Sequence, residues 1–161
     1  MRITLVATLV VAFLASGCGA PPVSRYQALQ NELAIPAGWE RVTETVAAPG
    51  ASITCASILP GCPRVSRYYS VPGTPATAYT QAKEMVLGAG FAIVHDSPDC
   101  LPPPASPACG MAATRDGDRL EVNAYNPGDD PELVAPPADK TMVRINTSPK
   151  GGSGDVGSST S

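Results

Sequence analysis

The residues most suited to chemistry lie in the run from His95 to Asp99 (HDSPD), which holds the one imidazole of the chain, a hydroxyl and two carboxylates. A Ser–His–acid arrangement for nucleophilic catalysis needs such a base. The apolar pattern predicts a strand that ends at Val94, so His95 falls in a loop, where catalytic groups often lie. No GxSxG, HExxH or glycine-rich phosphate motif accompanies the run. The sequence therefore predicts a solvated histidine beside a turn, with a small hydrolase using His95 as the alternative.

Cysteines are the second reactive set. Apart from one near the amino terminus the chain has four, Cys55, Cys62, Cys100 and Cys109. An even number is typical of disulfides in an exported protein. Three connectivities are open, and we expect Cys55 to pair with Cys62 and Cys100 with Cys109, because each pair brackets a proline-containing loop. Zinc is the alternative, but neither spacing resembles CxxC and only one histidine is present. No metal or cofactor is predicted.

The amino terminus carries a processing pattern. Leu14–Cys18 (LASGC) follows an apolar run from Ile3 to Phe13 and a single basic residue, Arg2. That run is shorter than the about 17 residues that a membrane-spanning helix needs, and small residues precede the cysteine. The pattern resembles the bacterial lipobox, in which the cysteine is acylated on its sulfur and becomes the first mature residue. The resemblance implies a signal peptide over residues 1–17 and a lipid on Cys18. Ordinary secretory cleavage and an uncleaved anchor are the alternatives.

The remaining chain is long enough for one domain. We expect a lipidated tether over residues 18–23, a single domain over 24–147, and a disordered tail over 148–161, where glycine and serine dominate. The formal net charge is -3 at pH 7. Without a basic patch, nucleic acid is not an expected partner.

The first half of the domain shows one weak helix and two strands. Ser24 and Gln27 form a capping-box pattern at the start of the helix, which ends before Pro36. Residues Trp39–Val46 alternate as a strand does, with Val42 and Val46 on one face. In the strand Val65–Val71, the residues Val65, Tyr69 and Val71 share a buried face.

A longer helix follows. Thr74 is the expected N-cap and Pro75 the first helical residue, and an apolar stripe continues until glycine at 88 or 90 ends the helix. Residues Phe91–Val94 predict a short strand directly after it.

The strongest local signal is a hairpin at Asp116–Gly117, a dipeptide suited to a type I′ turn. If Arg115 opposes Asp118, all apolar partners lie on one face. The predicted pairs are Ala113 with Leu120, Met111 with Val122 and Cys109 with Ala124 on that face, and Thr114 with Arg119 and Ala112 with Glu121 on the other. A last strand over Met142–Thr147 directs Val143 and Ile145 inward.

Together these elements predict an α+β fold. We expect a single antiparallel-rich sheet of about four to five strands, one main helix packed on one face in a β-α-β-β-β core, and a short N-terminal helix.

The uncovered sheet face is the candidate binding surface. Tyr68 and Tyr125, with Arg67 and Arg119 nearby in sequence, would form an aromatic and guanidinium patch suited to a protein or a glycan. The alternative is that these tyrosines are half-buried sheet residues. Trp39 is expected to fill the core beside the first strand.

Several short segments resemble one group of proteins. These are PAGWE at Pro36–Glu40, CPRVSRYYSV from Cys62 onward, and LGAGF at Leu87–Phe91. With the lipobox and the paired cysteines they resemble small exported α+β lipoproteins of actinobacteria whose function is uncharacterised. The resemblance implies location and fold and no catalytic residue. The expected function is a lipid-anchored, non-catalytic accessory or binding module on the outer face of the cytoplasmic membrane. Its expected partners are the membrane and an envelope protein or glycan, and a small cell-envelope hydrolase using His95 is the alternative.

Overall fold

The computed structural model describes residues 22–47, 62–101, 108–125 and 139–150. These ranges form two helices and six strands, namely α1 Val23–Asn31, β1 Glu40–Ala47, β2 Arg64–Pro72, α2 Pro75–Gly88, β3 Ala92–Ser97, β4 Cys109–Arg115, β5 Asp118–Tyr125 and β6 Lys140–Pro149. None of the helices described is long and apolar enough to cross a membrane. The predicted signal peptide, Cys18 and Cys55 lie outside these ranges.

All the strands belong to one antiparallel sheet in the order β1-β2-β6-β5-β4-β3. Helix α1 packs over β2 and β6, and α2 over β4, β5 and β6. Residues of both helices join one core cluster, so both lie on the same face. The α+β class with a single antiparallel sheet is therefore confirmed. The sheet has six strands rather than four to five.

The β4–β5 hairpin has the predicted register at every pair from Cys109–Ala124 to Arg115–Asp118. Asp116 and Gly117 have φ of 50° and 82°, as a type I′ turn requires. Helix α2 begins after Thr74, whose hydroxyl accepts a hydrogen bond from the amide of Thr77 at 3.3 Å. The predicted N-cap is thus confirmed.

Helix α1 differs from the prediction at its start. Its N-cap position is Pro22, without a side-chain cap bond, so the capping box at Ser24 is wrong. Contacts with the sheet stabilise α1 instead. Buried Gln30 donates its amide hydrogens to the carbonyl oxygens of Val65 and Ile145, at 2.8 and 3.1 Å. Arg25 forms an ion pair with Asp118 at 2.8 Å.

Strands β1 and β6 also differ from the sequence prediction, β1 in the exposure of its valines and β6 in where it ends. Val42 and Val46 are about half exposed (46% and 48%), because β1 is an edge strand with a bulge between Arg41 and Thr43. Strand β6 continues to Pro149, since Ser148 pairs with Arg119, so the strand enters the predicted tail. Residues 151–161 lie outside the described part of the chain.

Arg67 lies on the helix side of the sheet. It pairs directly with Ile145, a core residue, and it is only 6% exposed. Its Nε donates to Glu44 Oε2 at 2.6 Å, while the side-chain amide of Gln27 donates to Glu44 Oε1 at 2.9 Å. The hydrogen bond from Arg67, and next that from Gln27, lowers the pKa of Glu44 below its ordinary value of 4.5. The ion pair therefore joins β1 to β2, and the hydrogen bond from Gln27 joins α1 to both.

The lowered pKa of Glu44 gives a pH-dependent stability. A carboxylate with a depressed folded pKa stabilises above its unfolded pKa, and that contribution is lost as pH falls through the folded pKa. We expect Glu44→Gln to lower the free energy of unfolding at about pH 7, and the difference from the native protein to shrink as the pH falls through the lowered folded pKa of Glu44, where the native side chain also becomes neutral. Urea unfolding at several pH values measures this. Glu84→Gln, at an exposed position of α2, is the matched control. A difference that stays constant over the acid range would contradict the assignment.

Candidate functional site

The sheet face away from the helices carries two rows of side chains that directly paired strands bring together. One row, from β2 to β3, consists of Tyr68, Arg144, Asn123, Gly110 and Ser97. The next row consists of Ser66, Asn146, Glu121, Ala112 and His95. Polar groups from four sequence-distant segments therefore meet over the middle of the sheet.

A groove of about 580 Å³ lies along β4 on this face. Its floor is formed by the smallest residues of the two rows, Gly110 and Ala112, and its sides by longer side chains of β3, β5 and β6. We call it the β4 groove. The residues that matter most here are His95, Ser97, Gly110, Ala112, Arg119, Glu121, Asn123 and Arg144.

Gly110 is what allows Asn123 to lie over β4. A Cβ atom at position 110 would be 2.5 Å from Asn123 Oδ1 and 2.9 Å from the carbonyl oxygen of Val122. Both distances are shorter than real Cβ contacts. The glycine is required by this close approach and not by a left-handed backbone conformation.

The β5 side of the groove holds a carboxylate in a fixed orientation. Arg119 Nε donates to Glu121 Oε1 at 2.8 Å, and Asn146 Nδ2 donates to Glu121 Oε2 at 3.2 Å. Ser66 in turn donates to Asn146 Oδ1 at 3.2 Å. Because each oxygen of Glu121 has a donor, the carboxylate is positioned before any ligand arrives.

Arg144 lies on β6, directly opposite Asn123 of β5, and also lines the groove. Its guanidinium carbon lies 5.4 Å from the centroid of the Tyr125 ring, a cation–π contact. Its Nε is buried and has no hydrogen-bond partner.

The β3 side contains the imidazole. His95 and Ser97 both lie on β3, and the Ser97 hydroxyl is 3.3 Å from His95 Nε2. The prediction that β3 ends at Val94 is therefore wrong, and His95 lies on a strand beside the groove rather than in a loop. Asp96 points to the opposite face, where it pairs with Lys83 at 2.6 Å. Within the described ranges, no carboxylate forms a hydrogen bond with His95.

The predicted aromatic patch takes a different form. Tyr68 and Tyr125 do share the face opposite the helices, but they are 9% and 6% exposed and form a buried cluster with Met142. The prediction of an exposed tyrosine patch is therefore wrong, and the alternative, that these tyrosines are buried in the sheet, is closer to the structure. Arg67 does not belong to this face at all, because it lies under α1, whereas Arg119 lies on the face and in the groove.

Sequence reasoning missed three groove residues that its own predictions could have placed. The hairpin register puts Glu121, and by parity Asn123, on the face of Arg119. Directing Val143 and Ile145 inward puts Arg144 on the opposite face.

A disulfide joins the segment after β3 to the start of β4 on the helix side of the sheet, where Cys109 belongs to the main core. Cys100 and Cys109 are bonded, as predicted. Between them, the amide of Leu101 donates to the carbonyl oxygen of Ala108 at 2.7 Å, and both of these residues line the groove. Cys62 is buried, while Cys55, its predicted partner, lies outside the described residues.

Within the described ranges, no three His, Cys, Asp or Glu side chains are grouped closely enough to hold a metal ion. No protein-family model matches the chain, and no curated protein or solved structure shows significant similarity to it. The fold thus defines the class only as a small α+β domain with one antiparallel sheet. The resemblance to actinobacterial lipoproteins stays a prediction.

Proposed function

We propose that this protein is a non-catalytic binding module of the bacterial cell envelope, held at the outer face of the cytoplasmic membrane by a lipid on Cys18. The β4 groove is its ligand site, and the ligand is an envelope saccharide. The observation that carries the proposal is the set of pre-positioned planar groups along the groove, Glu121 and Asn123 with the neighbouring guanidinium of Arg119.

These groups suit a sugar because they offer donors and acceptors side by side. A sugar hydroxyl both donates and accepts, so it can bridge a carboxylate oxygen and an amide or guanidinium N–H. The bonds that Glu121 already makes to Arg119 and Asn146 reduce the ordering cost of binding. The groove volume of about 580 Å³ is within the range of small-ligand sites.

Two features support the proposed location. LASGC ends at Cys18, and the four residues 19–22 between it and α1 reach at most about 14 Å when fully extended, which would keep the domain close to the bilayer. The Cys100–Cys109 bond is consistent with an oxidising compartment.

Ligand binding tests the function. We expect the full-length protein to bind the trisaccharide of N-acetylglucosamine in isothermal titration, and Glu121→Gln to weaken binding by about tenfold, because a hydrogen bond to a charged group is lost. Glu84→Gln, on the helix side, should leave the affinity unchanged. Equal affinities for the native protein and Glu121→Gln would contradict the proposal, as would the absence of binding.

Mass spectrometry of the membrane-purified protein tests the anchor. We expect an acylated Cys18 as the first residue. An intact initiator methionine or an unmodified thiol at position 18 would contradict it.

A second candidate function is hydrolysis, favoured by one observation, the 3.3 Å separation of Ser97 Oγ and His95 Nε2 beside the groove. In that case His95 would accept the proton of the Ser97 hydroxyl as it attacks an ester carbonyl. Hydrolysis of 4-nitrophenyl acetate that is abolished by Ser97→Ala, and kept by Ser24→Ala at an exposed position of α1, would support it. Equal rates for the two variants would exclude this pair as the catalytic residues.

A further inference from the structure

We infer that the ligand of the β4 groove carries an acidic group, a carboxylate or a phosphate, and that Arg144 binds it. The inference rests on the proposed function and names the ligand class. It starts from the way this chain distributes its arginines.

The described ranges hold seven arginines. Four of them form ion pairs with carboxylates, namely Arg25, Arg67, Arg115 and Arg119. Arg41 and Arg64 are exposed, so water solvates them. Among the seven, Arg144 alone is half-buried and has no carboxylate of the described residues within ion-pair distance.

A half-buried guanidinium without an anion is costly, because its N–H groups lose water without gaining acceptors. The Nε of Arg144 shows this most clearly, since it is buried and unbonded. The contact with Tyr125 offsets part of the cost but leaves the charge unneutralised. That ring belongs to the buried cluster with Tyr68 and Met142, so the guanidinium lies against a buried apolar surface.

The nearby groups leave room for an anion at this place. Asn123, directly opposite Arg144 on β5, is neutral. Glu121 is one row away, but Arg119 and Asn146 occupy its oxygens. Asp99, which also lines the groove, follows β3, three strands away from β6. A guanidinium binds a carboxylate or a phosphate through two parallel N–H···O bonds, which a hydroxyl cannot match. An acidic sugar with its anion on Arg144 would extend along the floor formed by Gly110.

The experiment compares three sugars that differ in the acidic group. N-acetylglucosamine is neutral, N-acetylmuramic acid adds a carboxylate through a lactyl ether, and N-acetylglucosamine 6-phosphate adds a phosphate. Affinities of the full-length protein are measured by NMR titration for the native chain, Arg144→Gln and Arg144→Lys, with Arg64→Gln as the control. This arginine lies at the exposed end of β2.

We expect at least one acidic sugar to bind the native protein about tenfold more tightly than the neutral sugar, which identifies the carboxylate or the phosphate as the ligand group. Arg144→Gln should remove that preference, so that the acidic and neutral sugars bind with similar affinity, and Arg64→Gln should keep it. Arg144→Lys keeps the positive charge but loses the planar guanidinium that donates two parallel hydrogen bonds. It should therefore retain only part of the preference for acidic sugars.

Three results would overturn the inference. Equal binding of neutral and acidic sugars by the native protein would show that the ligand needs no acidic group, while the proposed saccharide function would still hold. An equal loss for all three sugars in Arg144→Gln would assign Arg144 a purely structural role. Binding of none of them would overturn the saccharide function as well. If Arg144→Gln does not fold, Arg144→Lys decides, and an unreduced acidic preference in that variant contradicts bidentate binding.

Discussion

Replacing Cys100 with alanine is expected to lower the free energy of unfolding by about 2–3 kcal/mol, because the disulfide to Cys109 no longer restricts the unfolded chain. The two cysteines are nine residues apart, which sets this magnitude in the chain-entropy description. Cys100 is the better position to change, since it is half-buried, whereas Cys109 is 2% exposed and packs in the main core.

The same substitution should affect the groove. Leu101 and Ala108 line it, and the disulfide holds their segments together next to the bond from the Leu101 amide to the Ala108 carbonyl. Urea unfolding measures the stability, and titration with the N-acetylglucosamine trisaccharide measures the groove. Cys109→Ala is the comparison, and it should lose more stability because it also removes a buried sulfur. Stability of Cys100→Ala equal to that of the native protein would show that the bond contributes nothing to the fold.

The parts of the fold that sequence predicted correctly depend on neighbours along the chain. The turn at Asp116–Gly117 and the alternation on each side of it fix the hairpin register within a few residues. Thr74 and Pro75 likewise mark the start of α2 through local backbone chemistry.

The parts that failed depend on contacts distant in sequence. Strand β3 was predicted to end at Val94 because apolar alternation stops there, yet its pairing with β4 continues to Ser97 through a bulge between Ile93 and His95. An edge strand such as β3 needs no apolar side chains on its solvent-facing side. The apolar pattern of its sequence therefore does not show where the strand ends.

The burial of Tyr68 and Tyr125 on the sheet face opposite the helices is the other feature that was predicted wrongly. The parity of β2 correctly separates Tyr69 from Tyr68, but parity does not reveal whether a face is covered. Arg67 was expected beside Tyr68 and Tyr125, but it lies on the helix side, and its partner Glu44 is 23 positions away on β1. The groove is harder still to predict, because its residues meet only when β3, β4, β5 and β6 pair in the correct order.

Gly110→Ala is expected to lower the free energy of unfolding by about 1–3 kcal/mol, the usual cost of overpacking a filled site. The new methyl group would lie 2.5 Å from Asn123 Oδ1 and 2.9 Å from the Val122 carbonyl oxygen. The Asn123 side chain can rotate away, but the carbonyl belongs to the backbone of β5 and moves only with the strand. Gly88→Ala is the matched control, because a Cβ there meets nothing within 4 Å and alanine favours the helix.

A second substitution separates the two contacts of the new methyl group. Removing the Asn123 side chain in Gly110→Ala/Asn123→Ala should restore only part of the stability, because the contact with the Val122 carbonyl remains. Neither variant should bind the N-acetylglucosamine trisaccharide as the native protein does, since the first displaces Asn123 and the second lacks its amide. Native stability and affinity in Gly110→Ala would mean that the floor of the groove tolerates a side chain, and the close approach of β5 to β4 would then not define the ligand site.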